Sequence, residues 1–249
     1  IDIKDVIQIA RDAGQTILPL YNSYNLDVRL KLDNSPVTEA DKLSNDVITS
    51  ELKSKYQEIP VLSEEGKSIP YEERRNWQAF WLVDPLDGTK EFISKSNEFT
   101  VNIALIKGNK PVMGVIFAPA MNMLYYAEAG IGSYKQDSGE DKEIKVDINM
   151  NNNLTAVISK SHSSPEEERV LKKYKITNTI KIGSSLKFCY VAEGRAHLYY
   201  RHGPTYEWDT AAGHAIAEIA GAKVGNLVYN KPNLTNPSFA VKSTRKLNR

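Results

Sequence analysis

The sequence predicts an α+β unit followed by a smaller α/β unit, and three features carry that expectation. Two amphipathic helical patterns near the start give way to short apolar runs that read as strands, among them a hairpin. A polar, Asn-rich stretch, "DINMNNNLT" at 147–155, then interrupts the periodicity. The residues beyond it alternate strand with helix, the pattern of an α/β unit. The expected boundary divides the chain into residues 1–150 and 151–249.

Each element has its own signal. Val6, Ala10, Ala13, Ile17 and Leu20 repeat at spacings of four and three, one face of a helix over 4–22, with Pro19 expected to kink or fray its end. Leu43, Val47, Ile48 and Leu52 mark a second helix running to about Tyr56. "IPVL" and "AFWLV" read as strands, and "FTVNIALI", the turn "KGNK" and "PVMGVIFAP" as an antiparallel hairpin. "MLYYAEA" and "GSYK" add further strands. In the second unit "AVIS", "TIKIG", "AHLYYR" and "FAVK" are the strands, while "SPEEERVLKKY", "SSLKFCYVAEG" and "DTAAGHAIAEIAG" are the helices.

Composition narrows the function classes. The chain has 249 residues, 41% hydrophobic and 25% charged, enough for a large core. Lys and Arg number 32 against 31 Asp and Glu, so no global field draws in nucleic acid or an anionic membrane, and a charged ligand must meet a local cluster. Cys189 is the single cysteine, which excludes an internal disulfide, and its place between Phe188 and Tyr190 suits packing. No run approaches the roughly 18 apolar residues of a membrane span. With no basic, apolar leader at the start, a cytoplasmic location is the default expectation.

The chemistry concentrates in acids. "WLVDPLDGTKEF" at 81–92 is an apolar strand that stops at Asp84, where Pro85 lacks the N–H to continue a ladder, and the following turn presents Asp84, the Leu86 carbonyl and Asp87. "PVLSEEG" likewise ends a strand at Glu64 and Glu65. Adjacent strand ends would gather three or four carboxylates, and oxygen donors without a His/Cys cluster select Mg²⁺ or Mn²⁺ over zinc. Asp209, at the start of a helix after Trp208, is either an N-cap or a third contributor. Asp41 follows Thr38 by three residues, a capping-box spacing. The D-x-x-D spacing does not fit the D-x-D of haloacid-dehalogenase-type phosphatases, glycosidase carboxylates flank a sugar from opposite sides, and no EF-hand loop is present.

Taken in order, "PVLSEEG", "WLVDPLDGTKEF", "GSSLKFCYVAEG" and "EWDTAAGHAIAEIAGA" resemble the lithium-sensitive, magnesium-dependent phosphatases of the inositol monophosphatase superfamily. "DGTKEF" before "FTVNIALI", together with "IGSSLKFC", looks like the bacterial 3'(2'),5'-bisphosphate nucleotidases of the CysQ type, since inositol monophosphatases read DGT-x-N-F there. The resemblance implies a layered αβαβα sandwich, the sugar-phosphatase fold, in which residues 1–150 carry most metal ligands and residues 151–249 carry Asp209 and the nucleotide contacts. It implies hydrolysis of adenosine 3',5'-bisphosphate to AMP and phosphate with two Mg²⁺, or three. Glu64, Asp84 and the Leu86 carbonyl would hold the first ion, and Asp84, Asp87 and Asp209 the second. Thr89, paired with Asp41, would orient the attacking water with help from Glu64, and Glu65 would lie nearby. The alternatives are an inositol monophosphatase-type sugar phosphatase and a non-catalytic nucleotide or metal sensor. Either a monomer or a homodimer fits, as does peripheral association with the cytoplasmic face of the inner membrane.

A bisphosphate nucleotide also needs cations that an acidic site lacks. Lys160, His162, Lys187 and Arg201 are the candidates, with His202 beside Arg201. Gly183, Ser184 and Ser185 open a helix and would offer amides and hydroxyls to an anion, and Gly88 leaves room for backbone to approach a phosphate. Tyr199, Tyr200 and Tyr206 are candidates to flank a base, and His214 reads as structural.

Overall fold

The computed structural model describes residues 1–23, 28–30, 36–137, 139–149, 153–160 and 164–244, with backbone alone for 28–30 and 36. The chain begins with α1 (Ile3–Asn22), an antiparallel pair β1 (Val28–Leu30) and β2 (Pro36–Thr38), and α2 (Glu39–Lys55). There follow β3 (Val61–Ser63), the short α3 (Tyr71–Arg74), β4 (Ala79–Asp87) and α4 (Thr89–Ile93). A meander continues through β5 (Thr100–Lys107), β6 (Lys110–Ala118), β7 (Met123–Glu128), β8 (Gly132–Asp137) and β9 (Glu140–Glu143). The remainder is β10 (Thr155–Ile158), α5 (Pro165–Lys173), β11 (Asn178–Lys181), α6 (Leu186–Ala192), β12 (Leu198–Arg201), β13 (Thr205–Tyr206), α7 (Trp208–Ile219), β14 (Lys223–Gly225), β15 (Thr235–Asn236) and β16 (Phe239–Lys242).

β3 to β9 form a seven-stranded sheet in sequence order, antiparallel except where β3 runs parallel to β4. The hairpin between β5 and β6 turns on Gly108 and Asn109, both at positive φ, the backbone that a two-residue hairpin turn requires. A five-stranded sheet has the order β11-β10-β12-β16-β14, with β10 parallel to both neighbours and β16 antiparallel to both of its own.

Alternation along the strands builds the layers. On β4, Trp81 and Val83 face Val6, Ile17, Ile48 and Leu52 of α1 and α2, whereas Phe80 and Leu82 face a core that contains Phe188 of α6 and Ala212 and Ile216 of α7. On β12, Tyr199 joins that same core together with its register partner Val157, while α5 lies against β12. The layer order is α1/α2, sheet, α6/α7, sheet, α5, the αβαβα sandwich that the resemblance implies. No described helix is long and apolar enough to cross a membrane.

Two readings of prolines are corrected. α1 does not fray at Pro19 but continues to Asn22, because Ile17 and Tyr21 are buried on either side and only one hydrogen bond is lost near the helix end. β4 does not stop at Asp84, because Pro85 lies in a β-bulge, where its missing N–H costs the ladder nothing, and the strand resumes to Asp87. β1, β2, α3, α4, β9, β13, β14 and β15 are short elements beyond those that the sequence predicts.

α7 lies close on the first sheet because β6 carries Gly114, where a Cβ would meet the Ala212 carbonyl oxygen at 2.5 Å. Backbone on both sides leaves little freedom to adjust, so Gly114→Ala should destabilise the protein by about 1–3 kcal/mol, read as a shifted midpoint in urea unfolding.

Candidate active site

The acids owe their arrangement to register. β3 and β4 are parallel with Ser63 opposite Val83, and the Glu64 N–H donates to the Val83 carbonyl at 3.1 Å, so Glu64 emerges beside Asp84. In a regular strand Asp84 and Asp87, three residues apart, would point to opposite faces. Asp84 pairs with Asn102 and Asp87 with Thr100, two residues apart on β5, so the bulge absorbs one residue and turns both aspartates to the same face. That face looks toward α6 and α7. Ser44 of α2 donates to the Pro85 carbonyl at 2.7 Å, and the Leu86 N–H donates to Asp84 Oδ1 at 3.1 Å, pinning the bulge from both sides.

Asp209 arrives from the first turn of α7. The residue at the N-cap position is Glu207, fully buried, whose carboxylate accepts the Asn230 N–H at 2.6 Å, the Lys231 N–H at 3.0 Å and Lys231 Nζ at 2.6 Å. Arg74 donates to Asn230 Oδ1 at 2.8 Å, extending this anchor to α3. Asp209 Oδ2 accepts the Tyr206 N–H at 2.9 Å. Ser185 then joins the two halves of the site, its Oγ lying 2.6 Å from Asp87 Oδ2 and 2.8 Å from the Asp209 carbonyl oxygen. Having one proton, the hydroxyl serves one of these acceptors at a time, while Asn102 Nδ2 donates to it at 2.9 Å.

These carboxylates oppose one another. Burial pushes the Asp84 carboxyl well above the ordinary range, and Glu64, Asp87 and Asp209 add like-charge repulsion. Asp209 is raised for the same reasons, by burial and then by Asp87 and Glu64. Burial raises Asp87 too, with Lys187 and the Ser185 hydroxyl working against it. Among the described residues no three acidic, histidine or cysteine side chains close into a ready-made ion cage. The fit of a cation therefore rests on donor chemistry, and oxygen donors that repel one another in a buried setting suit a hard divalent ion.

Asp41 and Thr89 meet beside the acids. Asp41 Oδ2 accepts from the Thr38 N–H at 2.7 Å and the Thr38 hydroxyl at 2.8 Å, completing the capping box, while Oδ1 accepts from Thr89 Oγ1 at 3.2 Å. The structural and the site geometry of Asp41 thus coexist. Gly88, at φ +90°, redirects the chain from β4 into α4, and a Cβ there would come within 3.3 Å of the Glu98 carbonyl oxygen.

A cavity of about 280 Å³ opens over this group, lined by Glu64, Asp87, Gly88, Thr89 and Asp209 and also by Ser184, Ser185, Lys187, Tyr199 and Arg201. Lys187 is buried rather than on a helix surface. Its Nζ donates to the Ser184 carbonyl at 2.7 Å, and burial lowers its pKa while Asp87 and Glu91 oppose that shift. Lys160 pairs with Glu98 at 2.6 Å, and the other oxygen of Glu98 accepts the Gly183 N–H at 2.7 Å. Ser159, not Lys160, lines the cavity. His162 lies outside the described residues. Tyr206 stacks on Trp208 with ring centroids 4.8 Å apart, Tyr199 packs edge-on to Phe188, and His214 Nδ1 lies 3.0 Å from the Tyr229 hydroxyl, a structural place.

The family follows from a model match. The inositol monophosphatase family model covers residues 3–249. The chain belongs to the inositol monophosphatase family. It is 47% identical over 247 residues to the 3'(2'),5'-bisphosphate nucleotidase CysQ of Escherichia coli strain K12, covering 96% of this chain and 98% of the relative. It is 38% identical to the protein of the same name from Aggregatibacter actinomycetemcomitans, over 98% and 93% of the two chains. A crystal structure of CysQ from Bacteroides thetaiotaomicron, a bacterial member of this family, superimposes with a TM-score of 0.85 at 41% identity over 97% of each chain.

Asn102, Ser159, Glu91 and Thr210 also stand in or beside the site and were absent from the sequence reading. Asn102, a polar residue inside the apolar run "FTVNIALI", was the one visible signal.

The repulsion sets a pH dependence. Carboxyls whose folded pKa values lie above the unfolded value bind protons more tightly when folded, so in metal-free protein they add stability as pH falls from neutral through the raised values and remove it as pH rises. Asp5, held below the ordinary value by its hydrogen bond from Tyr56, and Glu218, held below it by His214, act oppositely in a lower window. Thermal melts in chelator should show a stability maximum below neutral pH, and Asp84→Asn should raise neutral-pH stability by about 1–2 kcal/mol.

Proposed function

We propose that this chain is a Mg²⁺-dependent phosphatase that removes the 3'-phosphate of adenosine 3',5'-bisphosphate to give AMP and phosphate. The observation that carries the proposal is the convergence of Glu64, just after β3, Asp84 and Asp87 of β4 and Asp209 of α7 on one another, with Glu64, Asp87, Asp209 and the Asp41-bonded Thr89 lining one cavity. The curated relatives, bisphosphate nucleotidases by name, support the substrate class. A nucleotide-recycling role in sulfur assimilation fits the same substrate.

Glu64, Asp84 and the Leu86 carbonyl would hold one Mg²⁺, and Asp84, Asp87 and Asp209 a second. When bound, the ions supply positive charge against the phosphate oxygens and lower the pKa of water. The protein's own groups position and deprotonate. Asp41 is fixed by two bonds from Thr38, so its Oδ1 holds the Thr89 hydroxyl in one orientation with a lone pair turned away from the carboxylate. A water approaching Thr89 can give its proton to Oγ1 as the threonine proton passes to Asp41, with Glu64 as a second acceptor. Ser185 and Asn102 hold Asp87, and Glu207 holds the start of α7, so the carboxylates keep their places as charge develops. Lys187 and Arg201, which line the same cavity, would offer positive charge to the substrate's phosphates. The cavity is smaller than the roughly 300–1,000 Å³ of sites that enclose drug-sized ligands.

Phosphate release from adenosine 3',5'-bisphosphate with Mg²⁺, measured beside inositol 1-phosphate and fructose 1,6-bisphosphate, tests the proposal. Preference for the nucleotide is expected, whereas equal or better turnover of the sugar phosphates would point to a sugar phosphatase, and nucleotide binding without turnover to a sensor. Thr89→Ala and Asp41→Asn should each lower kcat by about 10²- to 10⁴-fold with KM nearly unchanged. Asp209→Asn should lower kcat by a similar order and weaken Mg²⁺ binding in calorimetry.

A further inference from the structure

Glu98 lies in the loop between α4 and β5 and does not line the cavity, yet both oxygens of its largely buried carboxylate are engaged by the second half of the chain. Oε1 accepts from Lys160 Nζ at 2.6 Å, and Oε2 accepts from the Gly183 N–H at 2.7 Å. The Gly183 amide, which the sequence offers to a substrate anion, is thus taken by a carboxylate of the chain itself. The backbone of Glu98 sits against two glycines. A Cβ on Gly88 would lie 3.3 Å from the Glu98 carbonyl oxygen, and one on Gly183 would lie 3.1 Å from it. The turn after β4, the loop before β5 and the approach to α6 therefore meet at a spacing that leaves little room for a side chain at either glycine.

Gly183 leads into a strained turn. Ser184 stands at φ +49°, left-handed backbone that disfavours a residue with a Cβ and persists where its surroundings hold it. That turn delivers Ser185, whose Oγ lies 2.6 Å from Asp87 Oδ2 and 2.8 Å from the Asp209 carbonyl oxygen. A hydrogen bond from the preceding amide to a carboxylate is charge-assisted, and stronger than one to a neutral acceptor. Lys160 restrains the other oxygen, which keeps the carboxylate turned toward Gly183.

We propose that Glu98 is a positioning residue of the reaction, holding the Gly183 backbone so that Ser185 meets Asp87 and the Asp209 carbonyl in one geometry. Glu98 acts through Ser185 and not on the substrate. The assignment rests on the phosphatase reading above, since it is the carboxylates of that site that Ser185 joins.

The test is a double-mutant cycle of E98A, S185A and the combined E98A/S185A variant, with kcat and KM measured on adenosine 3',5'-bisphosphate. E98A should lower kcat by about 10- to 100-fold and move KM much less. In the S185A background E98A should remove nothing further, because the group through which Glu98 acts is already gone. A further loss in that background, an unchanged kcat in E98A, or an effect confined to KM would overturn the proposal. Mg²⁺ calorimetry on the same proteins reads the site without turnover. E98A should weaken Mg²⁺ binding to the otherwise unaltered protein and add nothing to S185A, and further weakening on top of S185A would overturn the proposal. If the unaltered protein leaves the nucleotide uncleaved, the nucleotidase reading fails, and the calorimetric cycle decides on Glu98 alone. Should E98A fail to fold in a thermal melt, E98D, which keeps the charge but falls one methylene short of Gly183, is carried through the same cycle with the same outcomes.

Discussion

Buried carboxylates that repel one another are the constraint to which the site region answers. Asp84 and Asp87 gain nothing from proximity as bare side chains, since both are withdrawn from water and each disfavours the ionised form of the other. They are nevertheless held on one face by a bulge whose two sides are tied by Ser44 and by the Leu86 N–H. Such an arrangement persists only where the surrounding fold over-determines it. The sandwich does so, with α2 bonded to the bulge, β5 fixing its register, and α6 and α7 closing over it.

The middle layer transmits that constraint between the sheets. Small residues let α7 approach β6, so Asp209 comes down onto the acids of β4, and the buried Glu207 with its Asn230 and Lys231 partners prevents the helix start from withdrawing under repulsion. Ser185 links both sets of acids through a single hydroxyl. Lys187 of α6 and Arg201 of β12 supply positive charge to the same cavity.

Much of this was legible along the chain. Helical periodicity located α1, α2 and α7 to within a few residues, because an amphipathic face of three or more turns repeats its signal. The acids at strand ends were visible as chemistry, and so was the capping spacing of Thr38 and Asp41. The two-residue strands β13 and β15 were not, since they are stabilised by partners distant in sequence. Lys187 is a candidate cation in the sequence, but nothing local distinguishes a lysine that will be covered by a second sheet from one that will not.

The sequence by itself determined which residue types stand at the candidate site and where in the chain they lie: the acid pair, the Thr-containing turn, the helix-start aspartate and the basic residues of the second unit. Those are local choices of chemistry, readable because strand, turn and helix preferences are local. Only the tertiary structure decided that Pro85 marks a bulge and not an end, that Asp84 and Asp87 therefore share a face, and that Arg201 keeps a buried N–H without an acceptor among the described residues. Each of these depends on register against another strand or on burial by another layer, and the physical reason is the same throughout. Facing and desolvation are properties of neighbours in space, which a residue's neighbours in sequence do not specify.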